Sequence, residues 1–449
     1  MAKITHALQK VKNSCDYGIS EDAILDATDK VEYPYRQRTL GPIQTIYLFL
    51  AQILHGNQAC SSLRHSAGMT CSVEAYCKAR MRLPVALFRR LLEGVCESLR
   101  DATDESSRWL GHRIFHIDGS SFSMPDTEDL QNAFGQSGAQ KKGCGFPTAH
   151  MLLMTDAATG LIMDILAGPL RTHEMSQVAG MHPKLRPGDV LIGDRGFCSF
   201  AHLALLLRDK LHGVLRVHQR TIVDFTPGRP HASGKVSPSE KGLPRSRQMR
   251  CIGAADQIVR WFKPKMKPRW MSREDYAELA DSIVVRELRY RVETPGYRTH
   301  YVTLVTTLLD DEKYHAEELA ELYRCRWQIE TNLHHLKQTM GMDILRCKTA
   351  AGVRKEMLMF AIVYNLVCGV IYNAAERQGV CPGRISFIDA LRWLRSAGPG
   401  SELIDLIVNP CRPGRFEPRV VKRRPKKYGL LNKPRQTLRN RLKNKQVAA

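Results

Sequence analysis

The chain has 449 residues, 67 Lys+Arg against 45 Asp+Glu, a net charge of +22, 43% apolar and 25% charged residues. That balance excludes a disordered chain and leaves enough apolar residues for a sizeable core. The excess of positive charge makes a polyanion the first partner to consider. The start, Met1-Ala-Lys-Ile-Thr-His-Ala-Leu8, lacks the basic-then-apolar layout of a signal peptide. Thirteen cysteines with no CxxC pair indicate neither a zinc ribbon nor a disulfide framework and suit a reducing cytoplasm. No GxxxxGK[ST] loop is present, which argues against a P-loop ATPase.

Residues 1–108 read as a helical N-terminal domain. Pro42 to Leu54 is apolar, and two short helical patterns follow around Gly68-Met-Thr-Cys-Ser72. The second, Val73 to Arg82, carries Lys78, Arg80 and Arg82, and Pro84 opens a further helix from Val85 to Leu99. Either helix–turn–helix DNA binding or a packing domain with basic outer faces fits this pattern.

Residues 109–218 switch to strands. Arg113-Ile-Phe-His-Ile-Asp118 is β-branched and aromatic; His150–Thr155 and Gly160–Ala167 flank the turn Asp156-Ala-Ala-Thr-Gly160 as a hairpin. Glu174 to Leu185 is expected as a helix, Asp189–Asp194 as a short buried strand, Ala201–Leu211 as a helix and Gly213–His218 as a strand. Strands that first meander and then alternate with helices predict an α/β fold, a mixed sheet with helices packed on it.

Residues 219–300 interrupt the pattern. Gly, Pro and Ser gather between Thr226 and Arg247, then strand-like runs follow at Gln257–Phe262 and Ile283–Val292. In 301–400, Tyr301–Thr307 reads as a core strand and Ala316–Met340 as one long helix ended near Gly341, with helical patterns to about Arg395. Met357 to Tyr372 is nearly apolar but only 16 residues long and holds Asn365 and Gly369. A membrane span needs about 20 residues, so this is expected to be a buried helix. Residues 401–449 form a basic tail: from 411 onward it holds 14 Lys or Arg, one Glu and four prolines, densest at Lys422–Tyr428. It is not expected to fold alone, and serves either as a solvated tail or as a nucleic-acid contact.

Tyr323, Arg326, Glu330 and Lys337 carry the sharpest local signal. On a continuous helix their offsets place them within about 60°, a stripe roughly 21 Å long. One acid then sits among two cations and a phenol, although Arg326 and Glu330 alone make an ordinary i,i+4 pair. Asp118 and Asp194 each end an apolar strand beside a glycine. Each alone is a common turn former. Together with Glu330 they make an oxygen-only triad of the kind hard divalent ions prefer.

The Tyr-x2-Arg-x3-Glu-x6-Lys spacing resembles the signature of the insertion-sequence-four family of bacterial DDE transposases. His116-Ile-Asp-Gly-Ser-Ser-Phe-Ser-Met-Pro-Asp126 and Val190-Leu-Ile-Gly-Asp-Arg-Gly-Phe197 resemble that family's first and second acidic blocks, and the likeness runs from about Arg36 to Asn373. The basic tail has no counterpart in it. The resemblance implies a ribonuclease-H-like core with a mostly β insertion at 219–300, within the 135 residues between Asp194 and Glu330. It makes Asp118, Asp194 and Glu330 the catalytic acids, holding two Mg²⁺ (Mn²⁺ as substitute). It makes Tyr323, Arg326 and Lys337 contacts to the transposon-end phosphates. It further implies a cut-and-paste reaction on terminal inverted repeats and target DNA, by a homodimer or larger synaptic complex in the nucleoid, with no membrane partner. Some relatives stack a flipped base on an insertion Trp, a role for Trp261 or Trp270 beside the basic run Lys263–Arg269; a packing role suits both equally. The rival reading is a catalytically inactive repressor or domesticated architectural protein; a nuclease of the same fold without strand transfer is a third.

Three histidines lie near these residues. His116 shares a strand side with Asp118 and reads as structural; His334 is a neighbour of Glu330 on the helix wheel, and His335 is ordinary. His173-Glu174 does not continue to HExxH, and Ser120-Ser121 has no paired base, so neither a zinc protease nor a serine hydrolase is implied.

Overall fold

The computed structural model describes residues 19–36, 38–100, 108–170, 175–232, 242–292, 301–397, 401–410, 431 and 433–447. The Met1–Leu8 start, the first residue of the Glu174–Leu185 segment and the Lys422–Tyr428 run lie outside them. The N-terminal helices are α1 (Glu21–Lys30), α2 (Pro42–Leu54), α3 (Val73–Arg82) and α4 (Val85–Arg100). Ser20 and Ser72 cap α1 and α3 by accepting the Ala23 and Ala75 N–H groups.

The α/β part follows as β1 (Ile114–Ser123), α5 (Glu128–Phe134), β2 (Thr148–Asp156), β3 (Ile162–Pro169), β4 (Val190–Gly193), α6 (Phe200–Arg208) and β5 (His212–Arg216). Short helical turns, Met175–Val178 and Ala179–Lys184, replace the single helix expected from Glu174; Pro183 sits inside the second of them. Beyond β5 come β6 (Arg247–Gly253), β7 (Asp256–Phe262), α7 (Arg273–Glu278), β8 (Ser282–Arg291) and β9 (Tyr301–Thr306). The rest is α8 (Ala316–Arg324), α9 (Trp327–His334), α10 (Ala350–Gln378), α11 (Phe387–Ser396) and α12 (Arg435–Val447).

The nine strands among the described residues join one sheet in the order β3-β2-β1-β4-β5-β9-β8-β7-β6. β1, β2 and β3 are antiparallel, whereas β4 runs parallel to both β1 and β5. The strands expected as an insertion therefore extend the same sheet, because β9 pairs with β5 on one side and β8 on the other. β6 was hidden in the sequence: Arg247-Gln-Met-Arg-Cys-Ile-Gly253 is an exposed edge strand with no apolar alternation.

On one face of the sheet, Phe122, Met151 and Leu153 pack on Phe49 of α2, Phe88 of α4, Phe360 of α10 and Leu391 of α11. Farther along that face, Ile114, Ile192 and Val214 pack on Leu319 and Leu322 of α8. On the opposite face, Phe115, Ile117 and Leu152 pack on Leu203 and Leu206 of α6. By length and composition α10 could cross a membrane, but 89% of its apolar window is buried inside the molecule. It is the central core helix, started by the Thr349 cap and ended at Gly379 in the left-handed conformation.

α10 also fixes the N-terminal helices. Lys355 Nζ donates to the carbonyls of Arg80, Met81 and Leu83 at the end of α3, at 2.9, 3.1 and 3.0 Å, supplying charge where the helix dipole is negative. Arg80 is not on an outer face as expected: it reaches inward to Gln52 Oε1 (2.8 Å) and Cys347 Sγ (3.0 Å), over the Phe49 ring.

Candidate active site

Asp118 lies mid-way along β1, on the face between Ile114 and Phe122, where the two apolar clusters of that face meet. Asp194 directly follows β4. The last pair of the parallel β1–β4 ladder is Ile117 with Gly193, so the next residue along each chain is one of these acids, about 5 Å apart at the backbone. Gly193 permits this approach: a Cβ there would stand 3.0 Å from Phe197 Cδ2 and 3.1 Å from Ile117 Cγ2. Asp118 Oδ1 accepts the Gly119 N–H at 2.9 Å and Asp194 Oδ1 accepts the Gly196 N–H at 2.7 Å. One oxygen of each is thus held by backbone next to it.

Glu330 comes from the first turn of α9, whose Ile329 and Leu333 are buried. Arg326 stands between: Nη2 donates to Glu330 Oε1 at 3.0 Å, and Nη1 lies 3.9 Å from Asp118 Oδ2. Burial pushes the Asp118 carboxyl up to about 6; the Gly119 N–H and Arg326 pull it down, and Asp194 and Glu330 raise it. Asp194 and Glu330 are thus near enough for their charges to act on Asp118.

The expected single helix is in fact three pieces. α8 and α9 meet at a tight turn in which Arg326 N–H bonds to Tyr323 O and Ile329 N–H to Arg326 O, three residues back. A π-helical turn, His335–Thr339, then carries Lys337. Lys337 Nζ reaches across to Ser120 Oγ at 2.8 Å, two residues along β1 from Asp118. Burial lowers its pKa and the Asp343 charge opposes this. Tyr323 is only 6% exposed. Its ring centre is 5.8 Å from the Arg326 guanidinium carbon, and burial drives its phenol up to about 12, so it stays a hydroxyl donor. His116 is 1% exposed with neither ring nitrogen hydrogen-bonded; burial first, then Arg326, lowers it to about 4, so it is neutral. His334 is exposed, and His335 stacks on Phe387 with ring centres 4.3 Å apart.

Trp261 is not brought to the acids. It lies on β7, four strands from β4 and thus about 19 Å away laterally. Its Nε1 donates to buried Glu287 at 2.8 Å, and both Trp261 and Trp270 pack against the α6-side apolar cluster. Sequence reasoning missed a cleft of about 420 Å³ beside the signature, lined by Arg216, Tyr290, Arg291, Tyr323, Arg326 and Trp327. Asp118 does not end its strand as expected, since β1 runs on to Ser123. Arg216 carried a usable signal: like the two aspartates, it is a charge that ends an apolar run, Gly213-Val-Leu-Arg216.

Among the described residues, no three His, Cys, Asp or Glu side chains are close enough to hold a metal ion as they stand. Glu330 is turned to Arg326 rather than to the aspartates. The donor chemistry nonetheless fits a hard divalent ion: carboxylate oxygens only, around an Asp118 whose surroundings disfavour uncompensated negative charge.

The transposase DDE domain family matches residues 109–366, more than half of the chain. The chain belongs to the DDE transposase family. This transposase is 25% identical over 383 residues to the transposase InsG for insertion sequence element IS4 of Escherichia coli (strain K12), covering 81% of this chain and 79% of that one. It is 48% identical to the putative transposase InsL for element IS186A of the same strain, over 48 residues, 11% of this chain and 13% of that one. A solved piggyBac transposase synaptic complex with hairpin DNA has a TM-score of 0.44 and 11% identity, covering 87% of this chain and 79% of that one. The transposase thus carries out DNA transposition within the insertion-sequence-four family, on a domain that generally uses divalent metal ions.

Proposed function

We propose that the chain moves its own insertion sequence by cut and paste. It cuts the 3′ ends at terminal inverted repeats and joins them to target DNA by in-line attack of the freed 3′-OH. The observation that supports this reading is that Asp118 and Asp194 stand at neighbouring positions of adjacent parallel strands, while Arg326 links Asp118 to Glu330 on the covering helix. The first five strands, β3-β2-β1-β4-β5 with β4 parallel to its neighbours, support a ribonuclease-H-like core.

Each side chain has a distinct task. Asp118, Asp194 and Glu330 would hold two Mg²⁺ ions, with Mn²⁺ as a substitute; bound there, the ions supply activation of water and neutralisation of the leaving oxygen. Arg326 and Lys337 grip phosphates beside the acids by charge-assisted hydrogen bonds. Tyr323, whose ring centre is 5.8 Å from the Arg326 guanidinium carbon, offers its hydroxyl to the same transposon-end phosphates. No side chain acts as nucleophile, so no covalent enzyme–DNA intermediate forms. The helical N-terminal region contributes to end recognition, and two or more copies pair the ends.

The test uses the purified full chain and duplex DNA carrying the inverted repeats that flank its coding region. Mg²⁺-dependent 3′-end cleavage by the parent chain is expected, with Asp118→Ala binding the ends but not cutting them. Cleavage by Asp118→Ala overturns the assignment; end binding without cleavage under Mg²⁺ or Mn²⁺ makes the chain a DNA-binding protein instead.

A further inference from the structure

The tail helix α12 is seated on the α/β layer. The Arg435 N–H donates to Gly143 O at 3.1 Å. Its guanidinium carbon lies 3.7 Å from the Phe146 ring centre, and Nη1 lies 3.6 Å from Asp126 Oδ2. Gly143 has a φ of +77°, and a Cβ there would stand 3.1 Å from Pro434 Cβ. Backbone, ring, charge and close packing converge on one residue, so the seat is specific and more than a basic tail drifting near an acid.

Between α12 and α5 lies a groove of about 970 Å³. Arg439, one turn beyond Arg435 on the same face of α12, lines it together with Lys142, Gln136, Gln140 and Gln436. Arg439 and Lys142 are exposed. Asp126 is paired with Arg435; the groove's other acid is Glu128. α12 itself, RQTLRNRLKNKQV, has no acid. Two exposed cations in one groove, among neutral amides, can take phosphates of a nucleic-acid strand.

The groove is also within reach of the acids. Asp126 is eight residues beyond Asp118 along the chain leaving β1, at most about 27 Å when extended. That is less than the roughly 34 Å of one B-DNA turn.

We propose that this groove is a second DNA-backbone site, in which Arg435 seats the tail and Lys142 and Arg439 hold phosphates of the same duplex that lies at Asp118. The proposal rests on the reading above that DNA is the substrate, and it gives the basic tail a fixed place of action.

Fluorescence anisotropy of the full chain on an inverted-repeat duplex, in EDTA and at roughly 50 to 200 mM KCl, tests it. The Lys142→Ala/Arg439→Ala chain should bind about tenfold more weakly near 0.15 M salt, with a log–log salt slope reduced by about 1.8, or 0.9 per phosphate lost. Arg439→Glu, an exposed single change, should weaken binding at least as much as Arg439→Ala. Arg435→Ala keeps both groove cations but frees the tail helix, and should lose affinity similarly at a temperature where the chain is still fully folded. Unchanged affinity and slope in the double variant overturn the groove and leave the proposed function standing. Tighter binding by Arg435→Ala also overturns it, since the seated tail would then be covering the DNA site. A parent chain that shows no salt-dependent DNA binding overturns both readings.

Discussion

Arg326 holds Asp118 at 3.9 Å through one Nη group while the other is engaged with Glu330 at 3.0 Å. A single planar guanidinium thus spans a β-strand acid and a helix acid, which an ammonium cannot do at these separations. Arg326→Lys should keep the fold and lower single-turnover end cleavage by about 10- to 100-fold, or about 1.4–2.8 kcal/mol of barrier. Arg326→Ala should be worse, because it removes a counter-charge from both acids. Cleavage measured at saturating DNA separates this from weaker binding. A lysine variant with parental cleavage would show that the two-headed reach is not used.

Gly193 sets the spacing of the two aspartates. Alanine there would press on Phe197 and Ile117, both fully buried and unable to yield cheaply. Gly193→Ala should cost about 1–3 kcal/mol of stability by overpacking and should reduce cleavage more than end binding, since Asp194 is displaced with its strand. Urea unfolding and a cleavage assay give the two numbers. Normal cleavage at reduced stability would mean that β4 absorbs the methyl without moving Asp194.

Asn365 is the polar interruption within the apolar core helix. Its side chain copies a strand edge: Oδ1 accepts the Ile162 N–H at 2.8 Å and Nδ2 donates to Ile162 O at 3.0 Å, fully buried. Asn365→Leu is similar in size but leaves the Ile162 N–H unpaired, while Ile162 O keeps the Cys96 thiol as a donor at 3.2 Å. Its expected cost is about 1–3 kcal/mol, from the one buried group left unpaired. Denaturant midpoints measure it, and a change below about 0.5 kcal/mol, the usual range of surface substitutions, would show that Ile162 finds other partners.

These cases show what the sequence carried and what it concealed. β1, the β2–β3 hairpin and the buried helix around Met357–Tyr372 were legible because apolar residues and turn formers agreed locally. Asp118 and Asp194 were legible for the same reason, as charges ending apolar runs. The breaks in the signature helix were not: residues 323–339 keep helical periodicity, and only hydrogen-bond register distinguishes the tight turn at Arg326 and the π turn at Lys337 from a straight helix. Arg80 looked like a surface charge because its partners, Gln52 and Cys347, are 28 and 267 residues away. The seat for Arg435 was invisible for a similar reason, being assembled from Asp126, Gly143 and Phe146 against a segment whose composition alone predicts no fold.

His202 makes stability depend on pH. It is fully buried, its Nδ1 donates to Phe197 O at 2.7 Å, and its Nε2 lies 3.3 Å from His182 Nε2. Burial first, then the neighbouring His182, lowers its pKa to about 3, while the bond to Phe197 O raises it. Asp209 and Arg208 face His182 from the end of α6, and His182 is lowered too, by burial. An unfolded histidine titrates near 6.5, so below that pH the unfolded chain binds a proton that the folded chain refuses. The contribution is therefore complete above about pH 6.5 and is lost as the pH falls toward 3. At pH 5 the loss is about 2 kcal/mol from this residue, 1.5 units at 1.36 kcal/mol each. His202→Asn can keep a donor toward Phe197 O without the titration. It should be less stable than the parent at pH 7, and the gap should narrow by about 2 kcal/mol at pH 5. Urea unfolding of both chains at the two pH values decides the matter. An equal gap at both would place the acid sensitivity in other buried histidines, such as His116.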